Sequence, residues 1–226
     1  MIDDKLQQVR SRIVMACTAA GRDPASVRLL AVSKTFPAEA VREARAAGQV
    51  AFGENYVQEG VLKIETLSDL RGELEWHCIG PLQSNKTRPV SAHFDWVHSI
   101  DRLKIAERLA EQRPAELPPL QVCLQVNVDA GANKSGVAPG EALALARAVA
   151  ALPRLRLRGL MAIPEPAPDF EAQRALFLRA AAVFEEMRSA GLEVDTLSLG
   201  MSADLEAAIA AGSTMVRVGT AIFGAR

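Results

Sequence analysis

A lysine at the end of a short apolar segment is the first residue of the chain whose setting could support covalent chemistry. Residues 28–34 read Arg-Leu-Leu-Ala-Val-Ser-Lys, and a run of this kind is typical of a buried parallel strand. Because side chains alternate along a strand, Lys34 shares a face with Leu30 and Val32. A partly desolvated lysine amine can attack a carbonyl carbon and form a Schiff base. Taken alone, the segment is explained more simply by a solvated lysine at the end of a strand.

Two segments near the C-terminus have the composition of an anion site. Gly200 would let the backbone approach a ligand, and Ser202 is predicted to cap a helix that begins with free N–H groups. Gly219 and Thr220 could add an amide and a hydroxyl. If these segments follow the seventh and eighth strands of a barrel, they lie where such folds commonly bind phosphate. Plain helix capping also explains Ser202, so both interpretations stay open.

Arg217 lies between Val216 and Val218 in a segment predicted to be a buried strand. An interior guanidinium needs a partner, and a carboxylate on a neighbouring strand would supply one. The alternative combines Arg217 with the Schiff-base lysine and the anion site, since together they describe a site for pyridoxal phosphate. A guanidinium keeps its proton, so a ring nitrogen that faces Arg217 stays unprotonated and the ring is a weaker electron sink. Such a site would hold the cofactor more than use it.

Strand and helix patterns alternate along the whole chain, which indicates βαβ units and a parallel sheet. About eight strands in 226 residues favour an α/β fold with a single (β/α)8 TIM barrel spanning 1–226, preceded by an extra N-terminal helix. A doubly wound open sheet is less favoured, because no strand leads into a Gly-x-Gly-x-x-Gly turn. The predicted strands are 28–34, 50–53, 75–80, 96–100, 121–128, 157–163, 196–200 and 215–219. The clearest helices are 3–20, 57–67, one capped by Asp101, 140–152, 170–190 and 202–211.

Composition excludes several classes of function. The net charge of −1 provides no electrostatic footprint for nucleic acid or an anionic membrane surface. The three cysteines form no Cys-x-x-Cys pair, which argues against a zinc site or a disulfide framework and for a reducing compartment. No signal-peptide core and no run of membrane-spanning length is present. We therefore expect a soluble, cytoplasmic protein, and a monomer because no large apolar patch demands a partner.

An ordered set of motifs resembles one known family along the full chain. The motifs are Val32-Ser33-Lys34, Gly53-Glu54-Asn55-Tyr56, Trp76-His77 with Ile79-Gly80, Gln83 with Asn85-Lys86, Gly159-Leu160-Met161, Leu199-Gly200-Met201-Ser202 with Asp204, and Arg217-Val218-Gly219. They resemble the pyridoxal phosphate homeostasis proteins, which are single-domain relatives of the alanine racemase barrel. The resemblance implies a protein that keeps free pyridoxal phosphate (PLP) low and supplies it to PLP-dependent apo-enzymes, without well-established turnover.

The resemblance also implies roles for individual residues. Lys34 would carry PLP as a Schiff base, with Asn55 and Met161 beside the cofactor. Arg217 would face the ring nitrogen. The phosphate would lie against Ser202, Gly219 and Thr220. Lys134 is a candidate for a second, transient aldehyde site, although the loop 129–136 matches the family only at Lys134 and Gly136.

Two alternative functions use a similar lysine. A PLP-dependent amino-acid racemase needs a second base opposite Lys34; related racemases take a tyrosine from an added domain of a partner subunit, whereas this sequence ends at Arg226. Its one tyrosine, Tyr56, is expected to be a packing residue with its hydroxyl at the rim. In a class I aldolase the lysine would attack the substrate itself, and the purified protein would be colourless.

Three histidines and one loop have no assigned role in either reading. His77, His93 and His98 are expected in the core or at the rim, since no carboxylate is spaced to complete a metal site. Of these, His77 could point towards the cofactor ring. The Pro-rich loop 164–168 is expected on the active face, as a fixed rim or as a lid.

Overall fold

Eight parallel strands close into a barrel in chain order, with the last strand paired to the first. The computed structural model describes residues 1–129 and 135–224. The strands are β1 (Arg28–Val32), β2 (Ala51–Glu54), β3 (Glu75–Cys78), β4 (Trp96–Ile100), β5 (Leu120–Gln125), β6 (Leu155–Met161), β7 (Thr196–Ser198) and β8 (Met215–Val218). The predicted (β/α)8 TIM barrel is therefore confirmed.

Helices cover the outside of the barrel. They are α1 (Ile2–Ala19), α2 (Ala38–Ala46), α3 (Val57–Thr66), α4 (Thr87–His93), α5 (Leu103–Gln112), α6 (Pro139–Ala150), α7 (Phe170–Ser189), α8 (Leu205–Ala210) and α9 (Thr220–Phe223). The extra N-terminal helix α1 is confirmed, and it packs against α2, α8 and α9. Among the described residues, none of these helices combines the length and the apolar character that crossing a membrane requires.

Two predicted helix starts are wrong. The helix expected to begin at Asp101 begins at Leu103 with Arg102 at its N-cap, because the Asp101 carboxylate accepts a hydrogen bond from the Arg102 side chain instead. The helix expected to be capped by Ser202 begins at Leu205, after Asp204. There the Asp204 carboxylate accepts the N–H of Met201 at 2.6 Å and closes a turn before the helix.

The apolar core has two parts, one outside and one inside the barrel. The outer part fills the space between strands and helices and contains Ala31. Leu30 and Val32, the neighbours of Ala31, belong instead to a small interior cluster with Ala51, Ile79 and Met215, and a second small cluster joins Trp96, Cys123 and Met161. Lys34 is in phase with Leu30 and Val32, so the strand pattern directs it to the mouth of the barrel interior.

A stability prediction follows from the contact between β6 and β7. Gly159 has φ of +148°, and a Cβ added there would lie 1.8 Å from the carbonyl oxygen of Thr196 on β7. We expect Gly159→Ala to lower the free energy of unfolding by at least about 2 kcal/mol, because the strands must separate locally. Chemical denaturation monitored by circular dichroism measures this change.

Gly140→Ala is the matched control for that substitution. Gly140 lies in the first turn of α6, and a Cβ there would meet no atom within 4 Å. Its stability should stay within about 1 kcal/mol of the unmodified protein, on the stabilising side, because alanine favours helix. Equal losses for the two variants would contradict the steric argument.

Candidate functional site

A cavity of about 510 Å³ opens at the carboxyl ends of the strands, which is a size suited to a small organic ligand. It is lined by residues that follow β1, β2, β3, β6, β7 and β8: Val32, Lys34, Phe36, Asn55, Ile79, Ile163, Met201, Ser202, Ala203, Arg217, Gly219, Thr220 and Gly224. A separate cleft of about 580 Å³ lies at the opposite face and is lined by strand starts such as Arg28 and Glu75. Barrels of this type carry their chemistry at the carboxyl face.

A buried polar cluster fixes the backbone just before Lys34. The Lys63 ammonium from α3 donates to the Ser33 carbonyl at 2.9 Å and to Glu54 Oε1 at 2.6 Å. The Ser33 hydroxyl donates to the same Glu54 oxygen at 2.6 Å. Burial raises the pKa of Glu54, and the charge and hydrogen bonds of Lys63 and Ser33 oppose that rise. β1 therefore ends at Val32, and Ser33 is anchored from behind the cavity.

The turn that carries Lys34 is held from its other side as well. Thr35 has φ of +67°, an uncommon value for a residue with a branched side chain, and its N–H donates to the Glu59 carboxylate. The side chain of Lys34 is half-buried and lines the cavity. Within the described residues its amine makes no hydrogen bond or ion pair, so it is available to a ligand.

Arg217 lies at the bottom of the cavity and is 4% exposed. One nitrogen, Nη1, donates to the carbonyl and to the hydroxyl of Ser198, both at 2.7 Å, and Nη2 donates to the Ala162 carbonyl at 3.1 Å. Burial lowers the pKa of Arg217 to about 10, while the nearby Asp204 opposes that shift. The ion pair with a strand carboxylate that the sequence left open is not formed anywhere in the described ranges.

The turn before α8 supplies polar groups to the cavity. The N–H groups of Ser202 and Ala203 have no acceptor among residues 1–129 and 135–224, and Ser202 lines the cavity two residues before the N-cap Asp204. Helix capping by Ser202 is therefore wrong as an explanation. Arg12 of α1 donates to the Ser202 carbonyl at 3.0 Å and holds this turn against the N-terminal helix.

Two glycines near the cavity have packing reasons of their own. Gly200 has φ of +91°, and an added Cβ would lie 2.5 Å from the Ala208 side chain, so packing on α8 requires it rather than approach to a ligand. At Gly219 an added Cβ would lie 3.0 Å from the Val32 carbonyl, so the end of β8 lies close on β1. This contact brings Gly219 and the exposed Thr220 to the same cavity as Lys34.

Asn55 and Met161 occupy different depths. Asn55 follows β2 and lines the cavity, and Gly80 packs on its backbone so closely that an added Cβ would lie 2.2 Å from the Asn55 carbonyl oxygen. Met161 is fully buried with Trp96 and Cys123 and is not among the lining residues. Contact between Met161 and a bound cofactor stays a prediction. Tyr56 is 55% exposed and does not line the cavity.

Two histidines form a feature that the sequence analysis missed. His77 and His98 are both fully buried inside the barrel, with His77 Nδ1 2.8 Å from His98 Nε2 and His98 Nδ1 3.1 Å from the Ser198 hydroxyl. The signal was present, because each histidine falls on the inward-facing positions of its strand, but their contact depends on the closure of the barrel. In the described part of the chain no group of His, Cys, Asp or Glu residues is arranged to hold a metal ion.

Other predicted features are located only in part. Lys134 lies outside the described residues. The Pro-rich loop is tied at two points: Asp129 accepts the N–H of Glu165 at 2.6 Å, and Gln173 accepts the N–H of Ala167 at 2.7 Å. Its action as a rim or a lid stays a prediction, as do the monomeric state and the cytoplasmic location.

Comparisons with known proteins identify relatives of this chain. The sequence model of the alanine racemase N-terminal domain family matches residues 5–226 of this chain. The pyridoxal phosphate homeostasis protein of Pseudomonas aeruginosa is 62% identical over 225 residues, covering 100% of this chain and 96% of that protein. The Escherichia coli K12 protein of the same name is 59% identical over 226 residues, covering 100% and 97%.

A solved structure adds a ligand to the comparison. PipY of Synechococcus elongatus, described with PLP bound, is 39% identical with a TM-score of 0.87, covering 99% of this chain and 100% of PipY. The match in fold and sequence extends over nearly the whole of both chains. The chain therefore belongs to the pyridoxal phosphate homeostasis proteins, a family built on the barrel of the alanine racemase N-terminal domain.

Proposed function

We propose that this protein binds PLP as a Schiff base on Lys34 and takes part in PLP homeostasis by buffering the cofactor and delivering it to apo-enzymes. One observation carries the proposal: the same cavity is lined by a lysine amine and a buried guanidinium, neither of which has a carboxylate partner among residues 1–129 and 135–224. The bound cofactor in PipY and the names of the curated relatives support the choice of ligand.

The residues of the cavity match three functional groups of PLP, namely its aldehyde, its phosphate and its ring nitrogen. Its aldehyde can condense with the Lys34 amine, with loss of one water molecule. Its phosphate suits the open N–H groups of Ser202 and Ala203 and the hydroxyls of Ser202 and Thr220, since charge-assisted hydrogen bonds from such donors favour anions. Its ring nitrogen can accept a hydrogen bond from Arg217, which lies on the floor of the cavity. Asn55 and Met161 are proposed as further neighbours of the ring.

The same residues explain why holding the cofactor is favoured over turnover. When bound, PLP supplies an electron sink for carbanion chemistry, and that sink is strongest with a protonated ring nitrogen. Arg217 retains its proton because its ordinary pKa is far above neutrality, so it offers a hydrogen bond without transferring a proton. Lys34 and Arg217 are the only titratable side chains among the described residues that line the cavity. A second base for two-sided proton exchange is therefore missing from that lining.

The colour of the loaded protein provides the first test. The purified protein mixed with PLP should absorb visible light, and reduction with borohydride should attach the label to Lys34 as a stable secondary amine. Lys34→Arg keeps the charge but cannot form the Schiff base, so it should remain colourless. Absorption spectra and peptide mapping by mass spectrometry measure these results.

Lys104→Ala, on the outer helix α5, is the control for the loss of a lysine. It should retain the full visible band. A protein that stays colourless with PLP would favour the aldolase alternative, and a label that maps to another lysine, including Lys134, would overturn the assignment of Lys34.

The phosphate site can be tested separately from the amine. Ser202→Ala combined with Thr220→Val should weaken PLP binding at least about tenfold, because hydrogen bonds to a charged group are lost. Binding of pyridoxal, which lacks the phosphate, should hardly change. Titrations followed by absorbance give both affinities, with Thr18→Val on α1 as the control. Parallel losses for the two ligands would place the phosphate elsewhere.

The racemase alternative predicts a measurable activity. Because Tyr56 lies outside the cavity lining, we expect conversion of L-alanine to D-alanine by the loaded protein to be slow or undetectable, and Tyr56→Phe to leave any residual rate unchanged. Chiral chromatography of the products measures both. A robust rate that falls at least tenfold in Tyr56→Phe would establish the racemase instead.

A further inference from the structure

A continuous chain of hydrogen bonds runs through the barrel interior from the cavity to the opposite face. Arg217 Nη1 lies 2.7 Å from the Ser198 hydroxyl, which lies 3.1 Å from His98 Nδ1. His98 Nε2 lies 2.8 Å from His77 Nδ1, and His77 Nε2 lies 2.7 Å from Glu75 Oε1. Ser198 ends β7 and Glu75 begins β3. The chain therefore joins the cavity floor to the amino-terminal end of the barrel.

The two ends of the chain fix its direction. A guanidinium is only a donor, so the Ser198 oxygen accepts from Arg217 and its own hydrogen is left for His98 Nδ1. His98 then carries its proton on Nε2, and this N–H donates a hydrogen bond to Nδ1 of His77. His77 in turn donates its Nε2 proton to the carboxylate of Glu75, which is only an acceptor when ionised. Every hydrogen bond in the chain points from Arg217 towards Glu75.

The electrostatic surroundings keep the two histidines neutral, as this direction requires. Burial lowers the pKa of His98 well below its ordinary value, and the charge of a protonated His77 and the charges of Arg217 and Arg28 lower it further. Burial also lowers the pKa of His77, although the Glu75 carboxylate and the charge of Asp95 oppose the shift.

Glu75 provides the anionic end of the chain. Burial alone raises the pKa of Glu75, but the hydrogen bond from His77, the positive charge that His77 carries when protonated, and the charge and hydrogen bond of Arg28 bring it down to about 2. Arg28 Nη2 donates to Glu75 Oε1 at 2.7 Å, so the carboxylate is held at the start of β3. Glu75 is therefore ionised at neutral pH, and its carboxylate can only accept a hydrogen bond from His77.

An aromatic ring fixes the plane of His77. The Trp96 ring stacks on it with a centroid separation of 5.0 Å and an interplanar angle of 13°. The Arg158 guanidinium covers Trp96, 4.6 Å from the centroid of its ring. With its plane held by Trp96, His77 presents Nδ1 to His98 and Nε2 to Glu75 without rotating.

We propose that His98 and His77 are positioning residues for Arg217. They orient the Ser198 hydroxyl so that its oxygen accepts a hydrogen bond from the guanidinium, and this hydrogen bond keeps Arg217 directed at the cavity. The consequence for PLP rests on the proposed function, because it requires the ring nitrogen to face Arg217. The direction of the hydrogen bonds does not rest on it, since it is a property of the chain without ligand.

The first experiment therefore uses the protein without cofactor. In ¹⁵N-histidine NMR spectra at pH 7, both His77 and His98 should be neutral with the proton on Nε2. His93, which lies on α4 outside the barrel, provides the comparison signal. A proton on Nδ1 of His98, or a charged ring at either residue, would overturn the proposed direction.

The second experiment uses the loaded protein and varies the link to Ser198. His98→Leu removes the acceptor for the Ser198 hydroxyl, and Ser198→Ala removes the hydroxyl itself. The quantity measured is the pH at which the visible absorption band of the PLP-loaded protein reaches half of its full intensity. Each variant should shift this midpoint by about one pH unit, as expected when a hydrogen bond to a charged group is disturbed. His98→Asn keeps an acceptor near the position of Nδ1 and should stay close to the unmodified protein. His93→Gln should have no effect.

A double variant of Ser198 and His98 distinguishes a positioning role of the histidine from a general loss of stability. The double variant Ser198→Ala with His98→Leu should shift the midpoint no further than either single variant, because both interrupt the same link. A fall in melting temperature with an unchanged midpoint would reduce the histidines to packing residues and overturn the proposal. If His98→Leu does not fold, Ser198→Ala and His98→Asn decide the question.

The two proposals fail in different ways. If the unmodified protein gains no visible band with PLP, the proposed function is wrong, and the NMR experiment alone decides the direction of the chain. If the band forms and its midpoint is the same in Ser198→Ala, His98→Leu and the unmodified protein, the proposed function stands and the positioning role is falsified.

Discussion

The carboxyl face of this barrel depends on one buried cation. Arg217 is held by two carbonyl groups and a hydroxyl from the ends of β6 and β7, so the guanidinium ties three neighbouring strand ends together. Removing a charge from water costs several kcal/mol unless polar partners surround it. Apolar side chains would fill the same space at lower cost. The arrangement is understandable if the guanidinium serves a ligand that offers it a further acceptor.

A second set of buried polar groups performs a different task beside the first. The pair of Lys63 and Glu54 lies behind the cavity and holds the backbone of Ser33, whereas the amine of Lys34 is left without a partner in the described residues. The turn is thus held by hydrogen bonds along its backbone, and it leaves the Lys34 amine open for the proposed reaction. Binding sites in general combine a fixed frame with one available group, because a preorganised site loses less entropy when the ligand binds.

The cavity contains the groups that the proposed storage role requires. One amine can form a reversible bond to an aldehyde, and one guanidinium can hold the ring without giving it a proton. Among the described residues, the mouth of the cavity carries exposed apolar side chains such as Ile163 and Met201 rather than further acids or bases. A cofactor held in this way is retained by a covalent bond that water can reverse, which is the behaviour that a reservoir requires.

The sequence by itself determined the local features of this protein. Alternating apolar patterns placed eight strands and most of the helices between them, since periodicity is set by the geometry of each element; helix α4 between β3 and β4 was not predicted. They also placed Lys34 on the inner face, although the predicted strand ran two residues too long. The motifs identified the family and most of the residues that line the cavity.

Only the tertiary structure decided how distant residues meet. That Ser202 lies in a turn and not at a helix cap follows from the Asp204 carboxylate and from Arg12 on α1, 190 residues away along the chain. That Arg217 pairs with no carboxylate in the described part of the chain, and that His77 and His98 connect it to Glu75, depends on which side chains the closed barrel brings inside. Such contacts join strands far apart in the sequence, and local patterns carry no information about the register that creates them.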